Sequence, residues 1–265
     1  MTTNKNLMVI DPAVVTPSIE SFNRISKVAP FNVTYHLPAL YGTRSMHKEY
    51  NRDTMGIIVL GSATSVNDKN QWQDEIADIL LDGSNNNVPI LGLCYGHQLL
   101  GKVFGGKVEP LWDGEIKRGN RLVDLKESLM WGKPQSGLLL YSHQDGITQI
   151  PPDFNILGSS KMVSIEAIEA ENKPIWGFQT HIEATESFVK EHNLGNDGIK
   201  ESYKFGHKLL DKFILSSGLP TFAEFTLKVP RNLIKSSAIW FVYTISSSFS
   251  RLKLIRKFSG FFFSN

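Results

Sequence analysis

Three apolar runs stand out in the first part of the chain, at residues 7–10, 55–60 and 88–93. Near-continuous runs of Ile, Val and Leu are typical of strands that are buried on both faces of a parallel sheet. Between the second and third runs, residues 70–81 carry apolar side chains at helical spacing, and we expect residues 65–68 to cap the start of this helix. The pattern therefore predicts strands that alternate with helices.

The second half of the chain is richer in strand-like segments. Strands are predicted at residues 121–125, 137–141, 154–158, 162–168 and 174–179, and a helix is predicted at residues 199–215. The whole pattern indicates a doubly wound α/β sandwich, a fold that binds ligands at the carboxyl ends of its strands. We expect one domain over residues 1–218, followed by a basic and aromatic C-terminal extension of unknown role over residues 219–265.

Charge is spread unevenly along the 265 residues, whose formal net charge is +2. Residues 221–265 contain seven Lys and Arg side chains and one acid, Glu224, so they carry +6 and residues 1–220 carry −4. A mildly acidic body offers no footprint for nucleic acid, which we exclude as a partner. Residues 236–250 are uncharged but shorter than the roughly 20 apolar residues of a membrane-spanning helix. Membrane-surface contact of the extension stays open, although a strand–helix appendage or a poorly ordered segment is the favoured interpretation.

The chain contains a single cysteine. One cysteine excludes an internal disulfide framework and fits a reducing compartment. Residues 1–7 lack the long apolar core of a signal peptide. We therefore expect a cytoplasmic protein.

The cysteine itself, Cys94, lies between Gly92 and Gly96, directly after an apolar run and before a helix-like segment. Strand, G-x-C-x-G turn and helix in this order predict a nucleophile elbow, with cysteine where the better-known hydrolases carry serine. At the start of a helix, free backbone N–H groups and the helix dipole favour the thiolate over the thiol. A lone cysteine is otherwise more often a small buried hydrophobe, so the elbow interpretation requires a base.

That base is predicted in the second stretch, where a strand at residues 174–179 leads to His181 and Glu183. Residues two apart in an extended chain project to the same side, so the imidazole and the carboxylate can share one face. A carboxylate beside imidazole fixes its tautomer and stabilises the imidazolium. Cysteine, base and orienting acid together predict nucleophilic acyl transfer.

Acyl transfer also requires an oxyanion hole. The nucleophile elbow supplies one donor, the backbone N–H of Tyr95. A second donor is expected from a loop that follows another strand, and residues 60–65, which are small and follow the second apolar run, suit this role. Each such donor contributes about 3 kcal/mol to transition-state stability.

Taken together, these motifs resemble the class I, triad-type glutamine amidotransferase domains, with the glutaminase domain of GMP synthase and its free-standing relatives the most similar. The resemblance extends over about residues 7–215 and is carried by four motifs in the family's order. These motifs are Gly92-Leu93-Cys94-Tyr95-Gly96-His97-Gln98-Leu99-Leu100-Gly101, Gly105-Gly106-Lys107-Val108, Ser142-His143-Gln144-Asp145 and Gly177-Phe178-Gln179 leading to His181-Ile182-Glu183. It implies a flavodoxin-like three-layer sandwich with a central, mostly parallel sheet.

The resemblance also implies a role for each matching residue. Cys94 would be the nucleophile, His181 the base and then the acid, and Glu183 the group that orients the imidazole. The remaining roles are backbone donors of the oxyanion hole at Ser62 and Tyr95, with Gly61 permitting the loop, and substrate binding by Gln98, Ser142 and His143. Two departures are clear: the family's Gly-Gly-Pro loop is Gly61-Ser62-Ala63 here, and its His-Pro-Glu is His181-Ile182-Glu183.

The implied activity is hydrolysis of the glutamine side-chain amide through a cysteinyl thioester, with ammonia supplied to an acceptor. No phosphate-binding G-x-x-x-x-G-K-[S/T] loop occurs in the sequence, so we expect the synthetase to be a separate polypeptide. Two alternatives are a stand-alone γ-glutamyl peptidase or hydrolase and a non-catalytic binding or regulatory protein of the same fold. We expect no cofactor and no metal, because His36, His47, His192 and His207 show no metal-ligand spacing.

Overall fold

The computed structural model describes residues 5–217, so the predicted extension at residues 219–265 lies outside the described residues. The strands are β1 (Asn6–Ile10), β2 (Asn32–His36), β3 (Thr54–Val59), β4 (Ile90–Leu93), β5 (Lys107–Pro110), β6 (Lys117–Leu125), β7 (Gln135–His143), β8 (Asp145–Gln149), β9 (Phe154–Ser159), β10 (Ala167–Ala170) and β11 (Ile175–Phe178). The helices are α1 (Ile19–Val28), α2 (Pro38–Tyr41), α3 (Arg44–Glu49), α4 (Gln71–Asn85), α5 (Tyr95–Val103), α6 (Glu186–Glu191) and α7 (Ile199–Ser217), and Trp112–Gly114 forms a 3-10 turn.

Nine of these strands form one sheet in the order β2-β1-β3-β4-β11-β10-β9-β6-β7. The pairings from β2 to β11 are parallel, and those from β11 to β7 are antiparallel. Strands β5 and β8 pair separately in a small antiparallel sheet. The predicted α/β fold with a central parallel sheet is confirmed, and the antiparallel strands extend that sheet on one side.

Helices cover both faces of the parallel strands. On one face, α1 and α7 pack against alternate residues of β1 and β3, in a cluster that includes Ile25, Leu209 and Phe213. On the other face, α4 and α5 pack against the intervening residues, in a cluster that includes Ile76 and Leu99. Alternate side chains of a strand project to opposite faces, which is why these strands are apolar at every position. The result is the predicted three-layer arrangement.

Two sequence predictions are wrong in detail. The N-cap of α4 is Asn70, which forms a reciprocal capping box with Gln73, so residues 65–68 do not cap this helix. The strand expected at residues 162–168 begins only at Ala167. Its first part is a turn, because the Ser160 hydroxyl accepts hydrogen bonds from the backbone N–H groups of Met162 and Val163.

The carboxyl ends of β1, β3, β4 and β11 lie at one edge of the sheet because these strands are parallel. The chain leaves this edge at residues 11–18, 60–65, 94–98 and 179–185, which therefore lie side by side. Open α/β sheets place their ligands at such an edge. Within residues 5–217, no helix is long and apolar enough to cross a membrane.

Candidate active site

Cys94 lies at the sharp turn between β4 and α5. Its backbone has φ 51° and ψ −100°, a strained combination for a residue with a side chain. The flanking glycines permit the turn, since a Cβ built at Gly92 would be 2.4 Å from the carbonyl oxygen of Gly96, and one built at Gly96 would be 2.3 Å from that of Val59. The geometry is that of a nucleophile elbow, with the sulfur at the N-terminus of a helix.

His181 and Glu183 follow β11, the strand beside β4. The Nδ1 atom of His181 is 2.8 Å from Oε1 of Glu183, and the backbone N–H of His181 donates to the carbonyl of Leu140 at 2.8 Å. The imidazole also forms a hydrogen bond with the Cys94 side chain. Because Nδ1 is engaged by Glu183, this second bond uses Nε2. The structure thus brings Cys94, His181 and Glu183 together in one buried row.

The charges in this row act strongly on the imidazole. Burial lowers the pKa of His181, but the Glu183 carboxylate and the Cys94 side chain more than offset burial and raise this pKa to about 10. The imidazolium form is therefore favoured around neutral pH. Such a pair suits a nucleophile whose thiolate is stabilised by a neighbouring cation.

The loop after β3 passes directly over this row. A Cβ built at Gly61 would lie 2.7 Å from Cε1 of His181 and 3.7 Å from Cβ of Cys94. The Ser62 hydroxyl donates to the carbonyl of Pro12 at 2.7 Å and lies 2.8 Å from the hydroxyl of Thr64. These bonds tie the loop to residues 11–18, so the backbone at residues 61 and 62 is held beside the sulfur.

Tyr95 contributes to this region through its backbone rather than its side chain. Its ring is buried, and its hydroxyl accepts a hydrogen bond of 3.0 Å from Gln73 on α4. Tyr95 is the first residue of α5, where backbone N–H groups have no partner within the helix. An oxyanion formed next to the sulfur could therefore be bound by this N–H group.

A cavity of about 510 Å³ opens beside the sulfur. Gln98, Ser142 and His143 all line it, together with Gly61 and Ser62. This volume falls within the range of about 300–1,000 Å³ that is usual for small-molecule sites. The outer part of the cavity is bordered by Ile116 and Arg118 on the β6 side and by residues 13–16 on the opposite side.

His143 is held in one orientation by a buried network. Its Nε2 accepts a hydrogen bond of 2.9 Å from Arg121, and its Nδ1 donates to the carbonyl of Asp145 at 2.9 Å. Burial and the neighbouring Arg121 cation lower the pKa of His143 to about 3, so the ring is neutral. Arg121 is in turn paired with Glu166 at 2.7 Å.

Sequence reasoning gave no role to two residues that touch the catalytic row. Gln179, fully buried, places its Nε2 atom 3.9 Å from the sulfur of Cys94. The ring of Phe188 packs on the imidazole of His181 with centroids 4.3 Å apart. The sequence contained a signal for Gln179, because it directly follows the strand that leads to His181, but the register of that strand was needed to interpret it.

Metal ligands are not grouped in the part of the chain that the structure describes. Across residues 5–217, no three His, Cys, Asp or Glu side chains are arranged to hold a metal ion. His36 instead contacts the hydroxyls of Ser45 and Thr34 at 3.0 Å and 2.8 Å. The chemistry available at the site is therefore that of the side chains and backbone groups described above.

Comparison with known proteins identifies similar chains. The family model for class-I glutamine amidotransferases matches residues 23–200. The GMP synthase (glutamine-hydrolyzing) of Streptococcus pyogenes serotype M5 is 33% identical over 193 residues, which are 71% of this chain and 35% of the relative. The chain thus spans about a third of the length of that relative.

Solved structures share the fold at low sequence identity. A proposed GMP synthase subunit from Thermoplasma acidophilum has a TM-score of 0.63 and 18% identity, covering 83% of this chain and 96% of its own. A glutamine amidotransferase from Thermotoga maritima has a TM-score of 0.59 and 16% identity, covering 85% of this chain and 99% of its own. At these identities, the likeness establishes the fold alone.

Proposed function

This chain belongs to the class-I glutamine amidotransferase family, and we propose that it hydrolyses the side-chain amide of glutamine through a thioester on Cys94. The observation that carries the proposal is the buried row in which His181 bonds both the Cys94 side chain and the Glu183 carboxylate. Nucleophile, base and orienting acid within hydrogen-bond reach are the arrangement that acyl transfer requires. A cytoplasmic location, expected from the single cysteine, is part of the proposal.

The first half of the reaction forms the thioester. His181 takes the proton of the Cys94 thiol, and the sulfur attacks the amide carbon of glutamine. The resulting oxyanion is bound by the backbone N–H groups of Tyr95 and Ser62, with Gly61 leaving room for the approach. Collapse of the intermediate breaks the carbon–nitrogen bond, and the proton held by His181 leaves with the nitrogen as ammonia.

The second half returns the enzyme to its starting state. Water attacks the thioester while His181 accepts its proton, glutamate is released, and the thiol is restored. Throughout, Glu183 keeps Nδ1 protonated, so that Nε2 faces the reacting atoms. Gln98, Ser142 and His143 line the cavity at which the substrate would be held.

We further propose that the ammonia is used by an acceptor on a separate synthetase polypeptide. The support is indirect: the Streptococcus relative is named as a glutamine-hydrolysing GMP synthase, and this chain matches about a third of it. One structural relative is named as part of a multi-chain GMP synthase. The nature of the acceptor substrate does not follow from the residues of this site.

A stand-alone γ-glutamyl hydrolase is a second candidate, favoured by one observation. The cavity extends beyond the catalytic row to Val15, Ile116 and Arg118, where a leaving group larger than ammonia could be accommodated. The two functions are distinguished by comparing kcat/KM for glutamine with kcat/KM for γ-glutamyl dipeptides. A preference of more than about tenfold for the dipeptides would favour the second candidate.

The activity itself is tested by glutamate release from glutamine. We expect Cys94→Ala to abolish hydrolysis while the far-ultraviolet circular dichroism spectrum is retained, and His181→Ala to lower the rate by several orders of magnitude. A glutamine-mimicking chloroketone should alkylate Cys94 in the wild-type protein. Hydrolysis by Cys94→Ala within tenfold of wild type would rule out the assignment, and failure of the alkylation would favour a non-catalytic protein.

A further inference from the structure

We infer that Gln179 is a further catalytic residue, whose side-chain N–H donates a hydrogen bond to the sulfur of Cys94 and stabilises the thiolate. The inference rests on the proposed function, in which this sulfur is the nucleophile. It starts from the parallel register of β4 and β11, in which Leu93 pairs with Phe178. The next residues of the two strands are Cys94 and Gln179, which are therefore neighbours.

The backbone on both sides of this pair is fixed. The N–H of Cys94 donates to the carbonyl of Phe178 at 2.8 Å, and the N–H of Gln179 donates to the carbonyl of Glu166 at 2.8 Å. Gln179 is fully buried, and its Nε2 atom lies 3.9 Å from the sulfur. This distance is within the range of hydrogen bonds to sulfur, and the side chain has little freedom to leave it.

The orientation of the Gln179 amide can be deduced from its neighbours, even though the oxygen and nitrogen of an amide look alike. Gln98 lies 2.8 Å from the carbonyl oxygen of Asp145, which only accepts hydrogen bonds, so its near atom must be Nε2. The same Nε2 lies 3.4 Å from the Gln179 amide, whose facing atom must therefore be the oxygen. The nitrogen of Gln179 is then the atom that faces the sulfur.

A donor aimed at the sulfur acts on the charged form. A hydrogen bond to the thiolate favours that state and lowers the pKa of a thiol. The donor is complementary to His181, which also bonds the Cys94 side chain. Two donors then face the thiolate, and only one of them, His181, has to transfer a proton during the reaction.

The inference is tested on the thiol rather than on turnover. Because Cys94 is the only cysteine, the pH dependence of iodoacetamide alkylation reports its pKa directly. Gln179→Met removes the donor at nearly constant volume, and Gln179→Glu removes it while adding a charge. Gln144→Met is the matched control, since it makes the same change at a residue that lines the same cavity. Circular dichroism verifies the fold of each variant, and Gln179→Asn, which withdraws the amide by one methylene group, replaces Gln179→Met should the latter not fold.

We expect both Gln179→Met and Gln179→Glu to raise the apparent thiol pKa by about one unit, which slows alkylation roughly tenfold below that pKa. The rate at high pH, where the thiol is fully ionised, should stay within about twofold of wild type. An unchanged pKa in Gln179→Met, a shift confined to Gln179→Glu, or an equal shift in Gln144→Met would overturn the inference. A raised thiol pKa in a protein whose wild type releases no glutamate would instead count against the proposed function alone.

Discussion

Gly61 lies against the imidazole of His181, so close that a Cβ built on Gly61 would be 2.7 Å from Cε1 of the ring. The backbone conformation of this glycine is not the constraint, since it has no positive φ. The constraint is space, because the loop after β3 must come close to both His181 and Cys94. A side chain at this position would separate the loop from the sulfur that it covers.

The first prediction follows from this contact. Gly61→Ala should lower kcat for glutamine hydrolysis by about 100-fold, because a displacement of about 1 Å at the reacting groups has effects of that size. The unfolding midpoint should change little, since the loop can move outward into the cavity. Gly195→Ala is the control, as a Cβ at that exposed glycine would meet nothing within 4 Å.

Steady-state kinetics and thermal unfolding of both variants decide the matter. A Gly61→Ala protein with wild-type kcat would show that the loop does not need its present position over His181. Loss of folding in Gly61→Ala would instead show that the loop cannot move outward.

The second prediction concerns the charge beside His181. Burial lowers the pKa of this imidazole, while Glu183 and Cys94 together raise it to about 10. Glu183→Gln has the same shape but no negative charge, so we expect the pKa of His181 to fall by at least about one unit. The measurement is an NMR titration of labelled histidines, in which His181→Asn identifies the resonance. A titration that is the same in Glu183→Gln and wild type would contradict the assignment of Glu183 as the charged partner.

The fold could be predicted from the sequence where the signal is local. The apolar runs identify β1, β3 and β4, because strands buried on both faces are apolar throughout. Strand β2 was missed, since its residues Asn32–His36 are only partly buried and mix polar with apolar side chains. The antiparallel pairings of β6, β7, β9 and β10 join distant segments, and no local pattern specifies which strands become neighbours.

For the site, the sequence indicated which residues to examine but not how they are connected. Cys94, His181 and Glu183 could be named because the glycines and the two-residue spacing are visible in the chain. The contact between Gln179 and the sulfur depends on the register of β4 and β11, which is a property of the assembled sheet. The packing of Phe188 on His181 likewise depends on where α6 returns to the site.

The third prediction concerns the anchoring of the loop after β3. The Ser62 hydroxyl bonds the carbonyl of Pro12 and the hydroxyl of Thr64. Ser62→Ala removes these bonds but keeps the backbone N–H, and a hydrogen bond of this kind is worth about 1 kcal/mol. We expect kcat to fall about five- to tenfold with a smaller change in KM, because the loop becomes less ordered around the transition state.

A suitable control for this variant is Ser216→Ala, in which an exposed hydroxyl that bonds only the carbonyls of its own helix is lost. Its kinetics should match those of the wild-type protein. If Ser62→Ala raised KM while kcat stayed constant, the hydroxyl would act on substrate binding, and the anchoring interpretation would fail.

The fourth prediction links a buried histidine to stability in acid. His97 on α5 is fully buried, and desolvation lowers its pKa from 6.5 to about 3. Below pH 6.5 the unfolded chain therefore binds a proton at this residue that the folded protein does not bind. The folded state loses about 1.4 kcal/mol per pH unit from this group as the pH falls through the window from 6.5 towards 3, and it loses nothing above that window. His97→Gln should lower stability at pH 7.5 yet show a shallower decline between pH 6 and pH 4.5. Urea unfolding of both proteins across this range measures the two slopes, with His47→Gln on the exposed face of α3 as the control. Parallel slopes for wild type and His97→Gln would mean that the imidazole is protonated in the folded protein as readily as in the unfolded chain.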